Sequence, residues 1–489
     1  MLKPANILLI FSDQHRFDAL GAMGNPIVQT PNLDRLAREG VFVSNVWCQS
    51  PVCQPSTASV ITGSYPHQLG LTRNGQRDFD RDWPNTMKQL QAANYETATF
   101  GKTHYLSPSR FRSAATAPGN QGPAAVFDTD ETNPLIAAFG WDHVAEEYDR
   151  YLHLARGLST PYMRYLDDAG LLAAYQSQIR GVYRLTPAHW RAEQSVLDPD
   201  HDLTSFIARA AMDWIDARTD QRPFFAKVAF VAPHVPLIDD PIWAAAYADA
   251  DIKLPDQTPP QATKEIWSSY LDFLRQHSQV ETMDDDFIRS GIRHYYGIVS
   301  LVDQKIGELI EILPRNGLSE NTWILYAADH GAMLGQHYLW AKHNFYQPSV
   351  KVPLVIRPPT NGEGLHNDEL VELIDLSATL TDIAGASPVP GSAARSLLPV
   401  FRGGSVNRDY QHSMIGMAST DHLFAAIWNR NFRLTTEVTT GTHCELFDLR
   451  NDPGELHNLV AEPGHGAIID ELNDVQQRHI HLNTGRQIH

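Results

Sequence analysis

The sequence predicts an α/β fold: a mostly parallel central sheet sandwiched by helices, with a small C-terminal α+β subdomain carrying an antiparallel sheet. Three observations predict it. Short apolar runs recur without the polar alternation of a half-exposed strand, as strands buried on both faces do. Helical stretches separate these runs, and strand–helix alternation builds a parallel sheet. After about residue 404 the texture changes to short strands joined by polar turns.

In chain order the apolar runs are NILLIFSD (6–13), ETATFG (96–101), FFAKVAFV (224–231), WILYAAD (323–329) and PLVIR (353–357), each read as a buried parallel strand. The helical stretches are TPNLDRLAREG (30–40), TMKQLQAANY (86–95), TSFIARAAMDWIDARTD (204–220) and YYGIVSLVDQKIGELIEILPRNG (295–317). In the last, Gly317 after Asn316 is a stop signal. The stretch 105–200, rich in Pro, Gly and Tyr, reads as a loop and helix insertion beside the site. LFAAIW (423–428), FRLTTEV (432–438) and CELFDL (444–449) are the late strands, and GAIIDELNDVQQRHI (466–480) the one late helix. The expected division is an α/β domain over 1–403 and a subdomain over 404–489.

Among 489 residues, 43% are hydrophobic and 31 Gly and 31 Pro are spread throughout, which is globular composition. The net charge of −18 excludes nucleic acid as a bulk partner, since phosphate binding needs a basic footprint. It leaves room for an anionic group in a local basic pocket. The 22 His invite a search for metal or acid–base sites. Cys48, Cys53 and Cys444 are an odd, sparse set that implies no disulfide framework. No apolar run reaches the ~18 residues of a membrane span, so no membrane partner is expected. The first apolar run, Ile7 to Phe11, is too short for a signal-peptide core, and a cytoplasmic location is the expectation. Oligomeric state leaves no mark in the sequence.

In open α/β sheets, sites form at the carboxyl ends of the strands. NILLIFS ends in Asp13-Gln14, WILYAA in Asp329-His330 and FFAKVAFVA in Pro233-His234, and ETATF runs into Gly101-Lys102-Thr103-His104. Four strand ends bearing carboxylates, imidazoles or an amine point to one convergent polar pocket holding a metal. Asp13 and Asp329 offer hard oxygen ligands, Gln14 a carbonyl oxygen and His330 a nitrogen. Oxygen-rich sites suit Ca²⁺, Mg²⁺ or Mn²⁺, and an imidazole tilts the set toward Mn²⁺ or Zn²⁺. A carboxylate in the place of Asp13 also serves as a helix N-cap, and that alternative stands beside the ligand reading.

The motifs resemble those of the type I sulfatases of the alkaline phosphatase superfamily. NILLIFSDQ is similar to their first metal-binding strand, and TPNLDRLAREGVFVSNVW to the helix and strand that follow. CQPSTASVITG resembles the signature Cys (or Ser)-x-Pro-Ser-Arg-x-x-x-x-Thr-Gly, and GKTH the family's Gly-Lys-x-His. PHVP, ADHGAMLGQH, WAKHNFYQPSVKVPLVIR and ELFDLRNDPGELHNL each match a recurring stretch, so the resemblance runs from Asn6 to Leu459. It is weakest between 105 and 200.

The resemblance implies a sulfuric ester hydrolase with one divalent cation, Ca²⁺ or Mn²⁺ ahead of Zn²⁺ or Mg²⁺. The ligands would be Asp13, Gln14, Asp329 and His330, with the nucleophile at position 53 also touching the metal. Lys102, His104, His234 and Lys342 match residues around the sulfate, and Asn74 a polar residue near the nucleophile. In the family the signature cysteine is oxidised to formylglycine, whose hydrate attacks sulfur. Thr57 stands at a substrate-side position where the family has arginine. That arginine marks the cysteine for conversion and steadies it, so the expectation here is an unmodified Cys53 thiol. Asp13-Gln14 is closer to choline sulfatases and phosphonate monoester hydrolases than to members with a second Asp. A phosphodiesterase or phosphonate monoester hydrolase on the same fold is therefore an alternative, and a catalytically inactive ligand-binding relative another. A small-molecule or saccharide sulfate, phosphate or phosphonate ester is the expected partner.

Overall fold

A computed structural model of the chain describes residues 4–107, 131–150, 159–184, 192–259, 264–360, 362, 364–417 and 422–482. Its centre is a nine-stranded sheet of β1 (Asn6–Asp13), β2 (Val41–Trp47), β3 (Glu96–Gly101), β4 (His143–Glu146), β5 (Phe224–Pro233), β6 (Thr322–Ala328), β7 (Lys351–Arg357), β8 (Leu365–Asn367) and β9 (Val371–Glu372). The order is β8-β2-β7-β6-β1-β5-β3-β4, with β9 also paired to β2. The five helices that matter most for the site are α1 (Pro31–Glu39), α2 (Cys53–Thr62), α3 (Thr86–Ala92), α4 (Leu203–Ala217) and α5 (Asp285–Arg315).

All eight residues of β1 are buried, which explains its unbroken apolar run. Ile7, Leu9 and Phe11 face a core shared with Val60 and Ile61 of α2 and Leu90 of α3. Leu8 and Ile10 face the opposite core, with Leu33 and Leu36 of α1, Ile207 of α4 and Val299 of α5. Pro31 opens α1 at a position whose amide lacks an intrahelical partner anyway. The amides of Asn32 and Leu33 donate to Asp303, in the middle of α5, at 3.0 and 2.8 Å.

PLVIR corrects one expectation. Strand β7 is antiparallel to both neighbours, β2 and β6. An apolar run records burial on both faces, not direction. From the end of β6 the chain loops over the sheet edge and comes straight back as β7, so residues 329–350 all lie at the carboxyl end of β6. The irregular stretch also holds a sheet strand, β4, paired in parallel to β3. Within that stretch, 108–130, 151–158 and 185–191 lie outside the described residues.

The late strands form a separate antiparallel sheet of β10 (Gln411–Gly416), β11 (Leu423–Trp428), β12 (Phe432–Glu437) and β13 (Thr442–Asp448), in that order. One face packs Ile427, Leu434 and Leu446 against Leu472 of α6 (Gly466–Leu482). The other joins the main core, where Trp428 meets Trp47 with ring centroids 4.8 Å apart. Among the described residues, no helix is long and apolar enough to cross a membrane.

Candidate active site and metal centre

Asp13 closes β1, Lys102 and His104 follow β3, His234 follows β5, and Asp329-His330 follow β6. Parallel strands place these ends side by side, with β1 between β5 and β6. Cys53 arrives from the other direction, as the first residue of α2. No helix follows β1 directly, so Asp13 is not an N-cap. All the sequence-identified groups except Asn74 are at least nine-tenths buried.

The contacts are close. Ligand atoms of Asp13, Cys53, Asp329 and His330 all lie within 4.8 Å of one another. Cys53 Sγ is 3.1 Å from His330 Nε2 and 3.7 Å from Asp13 Oδ1. Lys342 Nζ donates to Cys53 Sγ at 2.8 Å and lies 3.0 Å from His330 Nε2 and 4.0 Å from Asp13 Oδ1. Lys102 Nζ pairs with Asp13 Oδ2. The Gln14 and His330 amides both donate to Asp329 Oδ1, at 2.9 and 2.8 Å.

Two buried carboxylates at one point set the electrostatics. Burial opposes ionisation of Asp13, but the ammonium groups beside it, Lys102 first and Lys342 with it, outweigh burial and hold that carboxyl well below its usual range. Asp329 goes the other way, pushed up to about 7 by burial and by the neighbouring Asp13. Burial lowers both His104 and His234 well below the ordinary imidazole value, with Lys102 adding to the first and Lys342 to the second. Both rings are therefore neutral at pH 7.

The donor set fits a divalent cation. Two carboxylates, an imidazole and a sulfur converge within ligand range, and Gln14 beside them carries a buried carbonyl oxygen, Oε1, with no hydrogen-bond partner. Gln14 holds a left-handed backbone, φ 69°, rare for a side-chain-bearing residue. Gly101 has φ 83°, and a Cβ there would come 2.1 Å from Ala229 O, so only glycine allows β3 to turn into Lys102 beside β5.

Asn74 lies beside the helix that carries Cys53, and Thr57 lies within it. The N-cap of α2 is Val52, which has no side-chain acceptor to offer. Asn74 Oδ1 accepts from the Gln54 amide at 2.9 Å in its place. Asn74→Ala is expected to lower unfolding stability by about 1–3 kcal/mol, the cost of an unmet amide, measured by urea titration. Thr57 sits one turn beyond Cys53 and is 4% exposed.

Two supporting residues escaped the sequence reading. Ser56 Oγ donates to the Asp329 carbonyl at 2.7 Å, tying α2 to the end of β6. Glu146, closing β4, accepts from the Thr103 amide with both oxygens at 3.2 and 3.1 Å, between Lys102 and His104. Nothing marked Glu146, a carboxylate at the end of a four-residue strand in an irregular stretch. Cys48, Cys53 and Cys444 are all buried, and none is paired in a disulfide.

A sequence model of the sulfatase family matches residues 5–386, and one of N-sulphoglucosamine sulphohydrolase, C-terminal, matches 335–481. The chain is 27% identical to an arylsulfatase of Clostridium perfringens, over 97% of this chain and 94% of that one. It is also 27% identical to a choline-sulfatase of Rhizobium meliloti, over 94% and 83%. The phosphonate monoester hydrolase of Agrobacterium radiobacter superposes with a TM-score of 0.78 at 22% identity, covering 98% of this chain and 96% of that one. With the family's pattern matched along most of its length and its strand-end residues gathered around Cys53, the chain belongs to the sulfatase family of the alkaline phosphatase superfamily.

Proposed function

We propose that the protein hydrolyses a sulfate ester, with residue 53 as the nucleophile. The observation that carries this reading is the convergence of Cys53 with Asp13, Asp329, His330 and Lys342 at the carboxyl end of the sheet. Asp13, Gln14, Asp329 and His330 would hold the divalent cation, with residue 53 beside them. When bound, the cation supplies Lewis acidity toward an ester oxygen and activation of the nucleophile. Residue 53, as the thiol or as a formylglycine hydrate, attacks sulfur, and the bond from sulfur to the leaving oxygen breaks. Lys102 and Lys342 balance the charge on the sulfuryl oxygens. His104 and His234, neutral, donate hydrogen bonds, and His234 meets the leaving oxygen.

These groups are fixed before substrate arrives, which is what makes such donors effective. Lys342→Ala is expected to reduce kcat/KM by about 10²–10³, mainly through kcat, the effect of removing one preorganised donor. A variant near the wild-type value would remove Lys342 from the chemistry.

A second reading, phosphodiester or phosphonate monoester hydrolysis, is favoured by Thr57 in place of arginine and by Asp13-Gln14. A panel of p-nitrophenyl sulfate, bis(p-nitrophenyl) phosphate and p-nitrophenyl phenylphosphonate decides between the readings. Highest kcat/KM on the sulfate supports the first, and on either phosphorus ester the second. Turnover of none, with cation still bound, would make the protein an inactive binding relative.

A further inference from the structure

The stretch ELFDLRNDPGELHNL lies in the C-terminal sheet and the turn after it, yet no residue of it stands among the site groups. Its two glutamates nevertheless reach the loop that carries Lys342. Glu445, on β13, and Glu455 flank Arg433 of β12, with Arg433 Nη1 3.0 Å from Glu445 and Nε 2.8 Å from Glu455. All three are no more than 1% exposed. Tyr346 Oη donates to the second oxygen of the Glu445 pair, Oε1, at 2.5 Å. The Gln347 amide donates to Glu455 Oε2 at 2.8 Å. The Arg433 guanidinium stacks 4.9 Å from the centre of the Tyr346 ring.

The loop needs an anchor. Ala341 and His343, on either side of Lys342, have φ of 63° and 75°, a left-handed backbone that residues with a Cβ adopt at a cost and keep only when their surroundings hold them. One hold is the Met333 amide on Ala341 O at 2.6 Å, another Tyr270 Oη on His343 O at 2.6 Å. The path from Lys342 to the clamp is short: Asn344 Oδ1 accepts from the Tyr346 amide at 3.2 Å, and Asn344 Nδ2 reaches Lys342 O at 3.4 Å.

We propose that Arg433, Glu445 and Glu455 form a buried clamp on Tyr346 and Gln347 that positions Lys342 over Cys53, so that the C-terminal sheet is a working part of the active site. The proposal rests on the role given to Lys342 above. An ammonium aimed at a reacting atom loses effect steeply with small displacements, and a clamp of charged groups with no solvent access holds its partners in one arrangement.

A double-mutant cycle tests it. Tyr346→Phe, which removes one hydroxyl, and Glu455→Ala, which opens the clamp, should each lower kcat about tenfold with KM nearly unchanged. In a Lys342→Ala background each should cost less than about twofold, because what they position is gone. A merely structural role would give the same loss in both backgrounds, and that result overturns the proposal. Tyr346→Phe keeps the test usable if Glu455→Ala does not fold. A crystal structure of Tyr346→Phe supplies the readout that needs no turnover. Lys342 Nζ should have left hydrogen-bond distance of His330 Nε2, and an unmoved Nζ overturns the proposal even if the wild type cleaves no ester. Absent wild-type turnover, by contrast, would count against the hydrolase reading alone.

Discussion

Asp13→Ala and Asp329→Ala are each expected to abolish divalent-cation binding and turnover together. The reason is the donor geometry. Both carboxylates belong to the cluster whose ligand atoms lie within 4.8 Å of one another, and among the described residues that cluster holds no third carboxylate to take the place of either. In the wild type, removing the cation with EDTA should lower the melting temperature, since a ligand held at 100 times its Kd contributes about 2.7 kcal/mol to the folded state. In the variants, EDTA should change nothing. Asp13→Ala carries a second penalty, because Lys102 loses its partner in a buried site, a change that costs about 3–5 kcal/mol. Asp329→Ala is therefore the cleaner reporter of the cation. Metal analysis of the purified proteins, melting with and without EDTA, and turnover form the test. Retained metal with intact activity in either variant would dissolve the metal centre.

Cys53→Ala should cost turnover on the order of 10⁴–10⁶, the scale seen when an enzyme loses its nucleophile. The sulfur is the atom on which Lys342 Nζ, His330 and Asp13 converge. A bystander cysteine would leave activity intact in Cys53→Ala and in Cys53→Ser alike. The chemical state of residue 53 is expected to be the free thiol, because Thr57 cannot supply the charge of the family's arginine. A threonine hydroxyl gives one neutral hydrogen bond, worth about 0.5–1.5 kcal/mol net. Mass spectrometry of the peptide that contains residue 53 reads the outcome directly. A dominant aldehyde or hydrate would restore the formylglycine route, in which one hydroxyl attacks and the other lets the adduct collapse. A thiol has no second hydroxyl, so its adduct must be opened by water.

The legible part of the site was the part built on strand ends. Asp13, Lys102, His104, His234, Asp329 and His330 each follow an apolar run directly, and parallel strands bring such positions to one edge. Cys53 and Lys342 stand at no strand end, since one opens a helix and the other lies in a loop, and their roles were legible through the family resemblance. Asn74 was singled out as a polar neighbour of the nucleophile, and the fold gives it a definite place, capping the amide that Val52 leaves unmet. Glu146 and Ser56 act through a backbone amide and a backbone carbonyl, which carry no side-chain pattern.

By itself the sequence determined the α/β class, the C-terminal antiparallel strands, the ring of chemistry-bearing residues and the departure at Thr57. Burial and local backbone preference set these, and both depend on residues near one another in the chain. Only the tertiary structure decided the direction of β7, the membership of β4 in the main sheet and the reach of Glu445 and Glu455 to the Lys342 loop. Those depend on which segments meet across long stretches of chain. An apolar run is equally stable in either direction once both faces are covered, and a buried glutamate looks like any other until its partner is in place.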